Sequence, residues 1–517
     1  MAELITVIYG STFMISDSSG DVVRDAGQGL FFEDSRFLSR LELKLNGSPL
    51  RLLSSQVVDP FSARFYLSNP EPPMDSSNEP AAAIPVDSLV MVRDRFVGDG
   101  LHEDFTITSY GKEPVRLTLD LLLEADFAHI FQVKMAPHLR HNGAQKYILC
   151  EENWVEFASQ EGDRPRRCHL SFSQTAVLSP SGASFSFILQ PRESWHTCLN
   201  VYTLVGEEER PPRWGCDHFG KEKVSSSLAL QQWLNSIPRL FSDCDALNYL
   251  YRQSAADLAT LRIFEDEVGG LAIPAAGSPW FMAVFGRDSL ITGYQSLILS
   301  SQMALGALTA LARYQGQQTE ESSEEEPGKI PHEIRHRGFT YFGGGPREVY
   351  YGTVDATPLF LVLLSEMYRW GIDQRIIQEF LPQVESALRW IEEWGDKDGD
   401  GYVEYSTARV GMLRNNGWKD SDDAIQFADG KVAEGPIALC EVQGYVYDAW
   451  LRMAELWEDF GRPQEAARLR AKAASLKRRF NLDFWISDKN GKGFFALALD
   501  GDKNKVDALA SNMGHLL

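Results

Sequence analysis

Basic side chains are in short supply in this sequence. Lys and Arg number 50 against 72 Asp and Glu, a formal charge of −22, and no compensating basic stripe appears. That balance argues against a nucleic-acid partner and favours a neutral or cationic ligand. Long apolar runs are missing too. No stretch reaches the ~18 uncharged apolar residues that a bilayer span needs, so no membrane partner is expected. The opening MAELITVIYGSTFMIS has neither the basic start nor the small-residue cleavage site of a secretory signal, and the expectation is a cytoplasmic protein. Cysteine is sparse: Cys150, Cys168, Cys198, Cys216, Cys244 and Cys440 form no CxxC pair. This predicts reduced, mostly structural thiols rather than a disulfide frame or a zinc site.

What is present changes period along the chain, and the length of 517 residues gives material for two domains. Up to about Arg213 apolar residues alternate, as in Leu41-Glu42-Leu43-Lys44-Leu45, Phe105-Thr106-Ile107-Thr108 and Phe185-Ser186-Phe187, which reads as a β-sandwich. From about Ser225 the spacing becomes helical. Leu247, Leu250, Tyr251, Leu258 and Leu261 mark one amphipathic helix, and further runs follow at 288–299, 303–314, 358–370, 376–394, 436–460 and 464–480. Domains are therefore expected at residues 1–220 and 221–517.

The helices are joined by loops of very unequal weight. Heavy, polar and aromatic connections alternate with trivial turns, as helical hairpins require if they build one active face. The run Thr319 to Glu326, TEESSEEE, reads as a solvated excursion. In SPWFMAVFGRDS, Trp280 and Phe281 supply flat apolar faces, and Arg287 with Asp288 supplies a fork and a carboxylate able to share vicinal hydroxyls. In KIPHEIR, His332, Glu333 and Arg335 are close enough to converge on one ligand. VYYGTVDATP places Tyr351 and Asp355 immediately before a helix. NNGWKDS sets the acid Asp420 beside Trp418 and Lys419, the arrangement in which an aromatic face covers a pyranose ring while a carboxyl reaches the glycosidic oxygen. Glu441 and Gln443 follow near the start of the next long helix.

One segment imitates a metal loop. Asp396, Asp398, Asp400 and Gly401 match the first half of an EF-hand, with Glu404 at a suitable later offset, but Thr407 stands where the bidentate Glu belongs. No cofactor is expected to be required, with structural calcium as the one candidate ion and an Asp- and Gly-rich turn as the alternative reading.

In chain order, FFEDSRFLSRLELKLNG, GSPWFMAVFGRDSLITG, PGKIPHEIRHRG, YYGTVDATPLF, NNGWKDSDDAI and GPIALCEVQGYVYDAW give the sequence a resemblance to the bacterial amylo-α-1,6-glucosidases, the glucosidase part of glycogen-debranching enzymes. The resemblance implies an N-terminal β-sandwich followed by an (α/α)6 toroid and inverting hydrolysis of an α-glucan or α-glucoside. It implies Asp420 as general acid, and Trp280, Arg287, Asp288, His332, Glu333, Trp418 and Lys419 around the glucose. It also implies a glutamate general base on a loop beyond Leu517, and twelve helices where the sequence offers seven or eight. The expectation is therefore a piece of a longer product, with Glu441 or Glu333 as in-chain alternatives for the base. A non-catalytic glucan-binding protein is the rival expectation.

Overall fold

The computed structural model describes residues 4–23, 27–70, 84–135, 146–151, 153–159, 165–216, 225–264, 269–335, 348–406, 412–487 and 492–517. The chain divides into two compact units, Met1–Leu261 with Ser278–Met282, and Arg262–Gly277 with Ala283–Leu517. Strand gives way to helix at Ser225, close to the expected boundary, yet the division into units falls at Leu261.

The first unit is built from antiparallel sheets. Its largest, nine-stranded among the described residues, has at its centre Arg166–Phe172, Ser194–Val205, Leu101–Ser109 and Leu89–Val97, each hydrogen-bonded to the next. A five-stranded sheet contains Gly182–Leu189, Val115–Glu124 and Arg40–Leu45. The alternation predicted for these segments is what buries Leu117, Leu119, Leu121 and Leu123 on one strand and Leu41, Leu43 and Leu45 on its neighbour. Those leucines join Phe105, Ile107, Leu170 and Val201 of the larger sheet in a single core. Period two puts every second side chain on the same face, so apolar alternation suffices to define that face.

Charge also enters this unit. Arg93 and Arg95 are closed to solvent and share Glu103, Arg93 Nε donating to Oε2 at 2.9 Å and Arg95 Nε to Oε1. Arg93 also donates to Asp21 at 2.7 Å. The expectation of reduced thiols needs one correction: Cys198 and Cys216 are joined as a disulfide, with Cα atoms 6.1 Å apart. The chain turns back at Gly206, and the short strand Glu208–Arg210 returns antiparallel along Ser194–Val205, which carries Cys216 toward Cys198. Cys168, Cys244 and Cys440 are free, and the Cys150 side chain lies outside the described residues.

Helices α1 (Ile130–Met135), α2 (Ser225–Ser236) and α3 (Asp245–Thr260) belong to the first unit. Helix α3 forms where expected, but it buries Ala255 and Ala259 while Leu247 and Leu250 are exposed.

The second unit contains α4 (Gly286–Gln295), α5 (Gln302–Arg313), α6 (Ala356–Arg369), α7 (Gln374–Glu379), α8 (Leu381–Glu393), α9 (Cys440–Asp459) and α10 (Pro463–Asp483). The expected 376–394 helix is two, broken where Pro382 enters the first turn of α8, because proline cannot donate to the preceding turn. The expected start of α9 at Pro436 moves to Cys440, since Ala438–Leu439 pairs as a strand with Ala498–Leu499. Helix α6 packs against α4, α8 and α9, while α4 packs on α5 and α9 on α10. This makes a succession of helical hairpins in which α4, α6 and α9 are neighbours in series. Each of those three begins directly after a heavy loop and carries a singled-out acid at its start: Asp288, Asp355 and Glu441. The twelve-helix toroid remains an expectation. Among the described residues no helix is long and apolar enough to cross a membrane.

Candidate active site

A small sheet collects the heavy loops. Val284–Phe285 pairs with Glu333–Ile334, which pairs with Val349–Tyr350, so the KIPHEIR segment is held between the loop that opens α4 and the one that leads to α6. His332 sits in this stitch, its carbonyl accepting from Gly286 N at 2.9 Å and its amide donating to Tyr350 O at 2.7 Å. The imidazole stands edge-on to Phe285 and Tyr350, with centroids 5.5 and 5.9 Å away. Burial, with the Arg287 and Lys329 charges, pushes its pKa down to about 3, so the ring is neutral.

Arg287 is the hub. Its Nη1 donates to Asp355 Oδ2 and to Gly417 O, each at 2.7 Å, and its Nη2 reaches Asp420 Oδ2 at 3.2 Å. One guanidinium therefore ties the first turn of α4 to the cap of α6 and to the 415–421 loop. Burial opposes its charge, but Asp355 and Asp288 outweigh it and the pKa is raised. Asp355 is closed to solvent and takes a second hydrogen bond from Thr353 Oγ1 at 2.6 Å. Asp288 is raised by burial against the pull of Arg287.

Asp420 differs from Asp355 and Glu441 in being reachable, with its side chain 46% exposed. Burial of the remainder raises its pKa, Arg287 lowers it, and Asp355 adds to the rise, leaving a carboxyl that keeps its proton above the usual range. Its neighbour Trp418 is exposed, with the His515 ring 4.9 Å from its own. Lys419 between them is half-buried. Behind this loop, Glu441 is fully buried. Asn512 Nδ2 donates to its Oε1 at 2.7 Å, and burial pushes the carboxyl up to about 7. A Cβ on Gly417 would meet Leu439 Cδ1 at 2.0 Å, so a larger residue there would have to push the buried Leu439 side chain aside.

Arg287, Asp288, His332, Asp355, Trp418, Lys419, Asp420 and Glu441 thus fall in one unit, and the Arg287 or Asp355 charge acts on Asp288, His332, Asp420 and Glu441. Other expected residues are spent elsewhere. Glu333 pairs with Arg335, both closed to solvent, and the Arg335 guanidinium lies 5.8 Å from the Phe285 ring centre. Tyr351 donates its hydroxyl to Tyr314 O at 2.7 Å. Gln443 uses its whole amide on backbone, accepting from Val403 N at 3.0 Å and donating to Val403 O at 2.7 Å and Leu439 O at 3.1 Å. Trp280 and Phe281 belong to the first unit, where Trp280 meets Phe31 edge-on at 6.3 Å and Lys134 lies 4.3 Å from the Phe281 ring centre.

The acidic run is corrected. Glu324 accepts from the Tyr350 hydroxyl at 2.7 Å and from Asn416 Nδ2 at 2.9 Å, bracing the loop that carries Asp420, and Glu326 accepts from Trp390 Nε1 at 2.8 Å. A charge run gave no signal for such anchoring, nor did Asn512 and His515 for theirs.

The EF-hand-like turn holds a lysine. Lys503 Nζ lies 2.5 Å from Asp398, 2.6 Å from Asp400 and 3.1 Å from Glu404. Asp396 accepts from Gly399 N at 2.7 Å and Gly401 N at 2.8 Å, and burial pushes Glu404 up to about 7. Thr407 lies outside the described residues.

Residues 7–200 match the family described as the N-terminal domain of (some) glycogen debranching enzymes. No curated protein matches the chain. Among solved structures it is similar to a putative kojibiose phosphorylase from human microbiome, at 8% identity and a TM-score of 0.50 over 94% of this chain and 68% of the other. It is also similar to a bacterial glucoamylase complexed with acarbose, at 10% identity and a TM-score of 0.54 over 98% of this chain and 72% of the other. At these identities the likeness is one of fold.

Proposed function

We propose, from an N-terminal domain of glycogen-debranching type and the polar cluster around Arg287, that the protein hydrolyses α-glucosidic bonds of a glucan or glucoside, with Asp420 as general acid. The observation that carries this reading is the contrast among the acids. Asp355 and Glu441 are closed to water, whereas Asp420 is half open, raised in pKa, and beside an exposed tryptophan. The Trp418 ring offers a face to the C–H side of a pyranose, Asp420 protonates the departing oxygen, and Arg287 fixes the carboxyl's position. The ion pair with Arg287 involves the oxygen Oδ2, which leaves Oδ1 for the leaving group.

Inversion would place a second carboxylate roughly 6.5 to 9.5 Å from the first, with water between. Glu333 and Glu441, the in-chain alternatives, are both shut from solvent, and that favours a second reading in which the chain binds glucan without turning it over. The glucoamylase and phosphorylase likenesses make glucans and glucosides the ligands to try, with phosphate as a further nucleophile.

The deciding experiment measures glucose and glucose 1-phosphate released from maltooligosaccharides and branched α-glucan, with and without phosphate, alongside calorimetric binding. Turnover by the chain, reduced at least ~10²-fold in kcat by Asp420→Asn at little cost in KM, is expected. Activity of the variant within a few-fold of the original would remove Asp420 from the role. Binding without turnover would establish the second reading.

A further inference from the structure

The strand Leu101–Ser109 of the first unit carries His102 and Asp104 with side chains on the same face, and its partner Ser194–Val205 sets Asn200 opposite His102 and Cys198 opposite Asp104. Cys216 comes back onto this spot. One ligand atom each from His102, Asp104, Cys198 and Cys216 lies within 4.8 Å of all the others, and His102, Asp104 and Cys198 are buried. From these positions we propose that, when Cys198 and Cys216 are thiols, the four side chains hold a tetrahedral transition-metal ion of the zinc class, and that the disulfide is the alternative state of the same site.

Three observations support this. The first is the tautomer of His102. Its Nδ1 is 2.7 Å from Asn200 Oδ1, an acceptor, so a hydrogen on Nδ1 fits this contact and leaves Nε2, 3.3 Å from Asp104 Oδ1, as the ring atom for a metal. That is the arrangement a metal-binding histidine takes when a neighbour orients it. The second is the setting of Asp104. His102 Nε2 and His196 Nε2 each stand 3.3 Å from Asp104 Oδ1, so two imidazoles converge on one buried carboxylate oxygen in contacts longer than good hydrogen bonds. A buried carboxylate so surrounded is held by positive charge beside it, and a metal ion supplies that charge when the imidazoles are neutral. The third is the ligand chemistry. One imidazole, one carboxylate and two thiolates form a four-coordinate set that zinc accepts at ~2.0–2.3 Å per bond. Phe61 and Phe96 stack on Trp214, and the Phe96 ring lies 6.4 Å from that of His102, which gives the histidine an apolar neighbour.

The two states interconvert with balanced chemistry. A dithiol reductant gives two electrons and two protons, the Cys198–Cys216 bond breaks to two thiols, and the reductant closes its own disulfide. Metal entry then expels both thiol protons, and the ion ties the segment after Glu208–Arg210 to the large sheet.

The test uses the full chain, reduced with dithiothreitol, desalted anaerobically and titrated with cobalt(II), then zinc. One equivalent of cobalt is expected, with a thiolate-to-metal charge-transfer band and strong tetrahedral visible bands that zinc abolishes. Cys216→Ser should weaken the charge-transfer band, since Cys198 leaves one thiolate on the metal. Asn200→Ala, which removes no metal-binding atom, should weaken binding by roughly 10-fold or more through loss of the imidazole's orientation. On the unmodified chain, zinc should protect Cys198 and Cys216 from iodoacetamide while exposed Cys244 stays reactive. A folded, reduced chain that stays pale with cobalt, or whose Cys198 and Cys216 alkylate equally with and without zinc, overturns the site, as does a cobalt spectrum unchanged by Cys216→Ser.

Discussion

Arg287 holds Asp355 at 2.7 Å with both side chains almost wholly closed to water. A pair so placed has given up its hydration, so its members are stable only together.

Arg287→Met should therefore cost about 3–5 kcal/mol, most of it the penalty of leaving Asp355 charged and buried. Asp355→Asn should also destabilise. Because each single change strands the other partner, the double variant Arg287→Met/Asp355→Asn should lose less than the sum. Denaturant unfolding of the four proteins measures this, and simple additivity would show that the pair does not act as a unit.

The buried ionic group of the first unit makes a parallel case. Glu103→Gln leaves Asp21, which pairs with Arg93, to balance two buried guanidiniums, and about 3–5 kcal/mol of stability should go. Arg95, which burial already pushes down to about 10, should drop further. Thermal unfolding of the variant near neutral pH gives the answer, and an unchanged melting temperature would contradict it.

Glu441 predicts a pH dependence. Its carboxyl titrates near 7 in the folded chain against 4.5 for the ordinary group, so the folded state binds the extra proton. The sign follows: this contribution is full below about pH 4.5 and is lost as pH rises through 7. Glu404 shifts in the same direction and window, so the comparison must be by variant. Relative to Glu441→Gln, the original chain should lose stability between pH 5 and 8; parallel melting-temperature profiles would remove Glu441 as the cause.

Lys503 sits among Asp398, Asp400 and Glu404 where an ion would bring its charge. Lys503→Met should lower the melting temperature, and millimolar calcium should restore much of the loss while moving the original chain little. If calcium stabilises both proteins equally, the ion binds beside the lysine and the acids serve both.

The strands of the first unit and most helices were legible because period two and period 3.6 are local properties. Leu117 to Leu123 could be assigned to a buried face without knowing what covered them. The local rules fell short at α8, where Pro382 divides one apolar run, and at α9, where a strand pairing far along the chain takes two residues from the helix. At the site, Asp420, Trp418, Arg287 and Asp355 could be nominated from loop chemistry. Which of the acids stays wet could not, because exposure belongs to the packed loops and not to the residue type.

The sequence by itself determined the two kinds of secondary structure, their order, and the acids that open α4, α6 and α9, since these follow from side-chain spacing and from which residues can start a helix. Only the tertiary structure decided partnership. Glu324 braces the Asp420 loop rather than solvating a turn, Gln443 spends its amide on backbone, and Lys503 enters a cluster of acids about a hundred residues earlier in the chain. Cys216 returns to Cys198 beside His102 in the same way. Hydrogen bonds and ion pairs act over ~3–4 Å, and the distances that bring such groups together are fixed by the packing of whole elements, which no local pattern encodes.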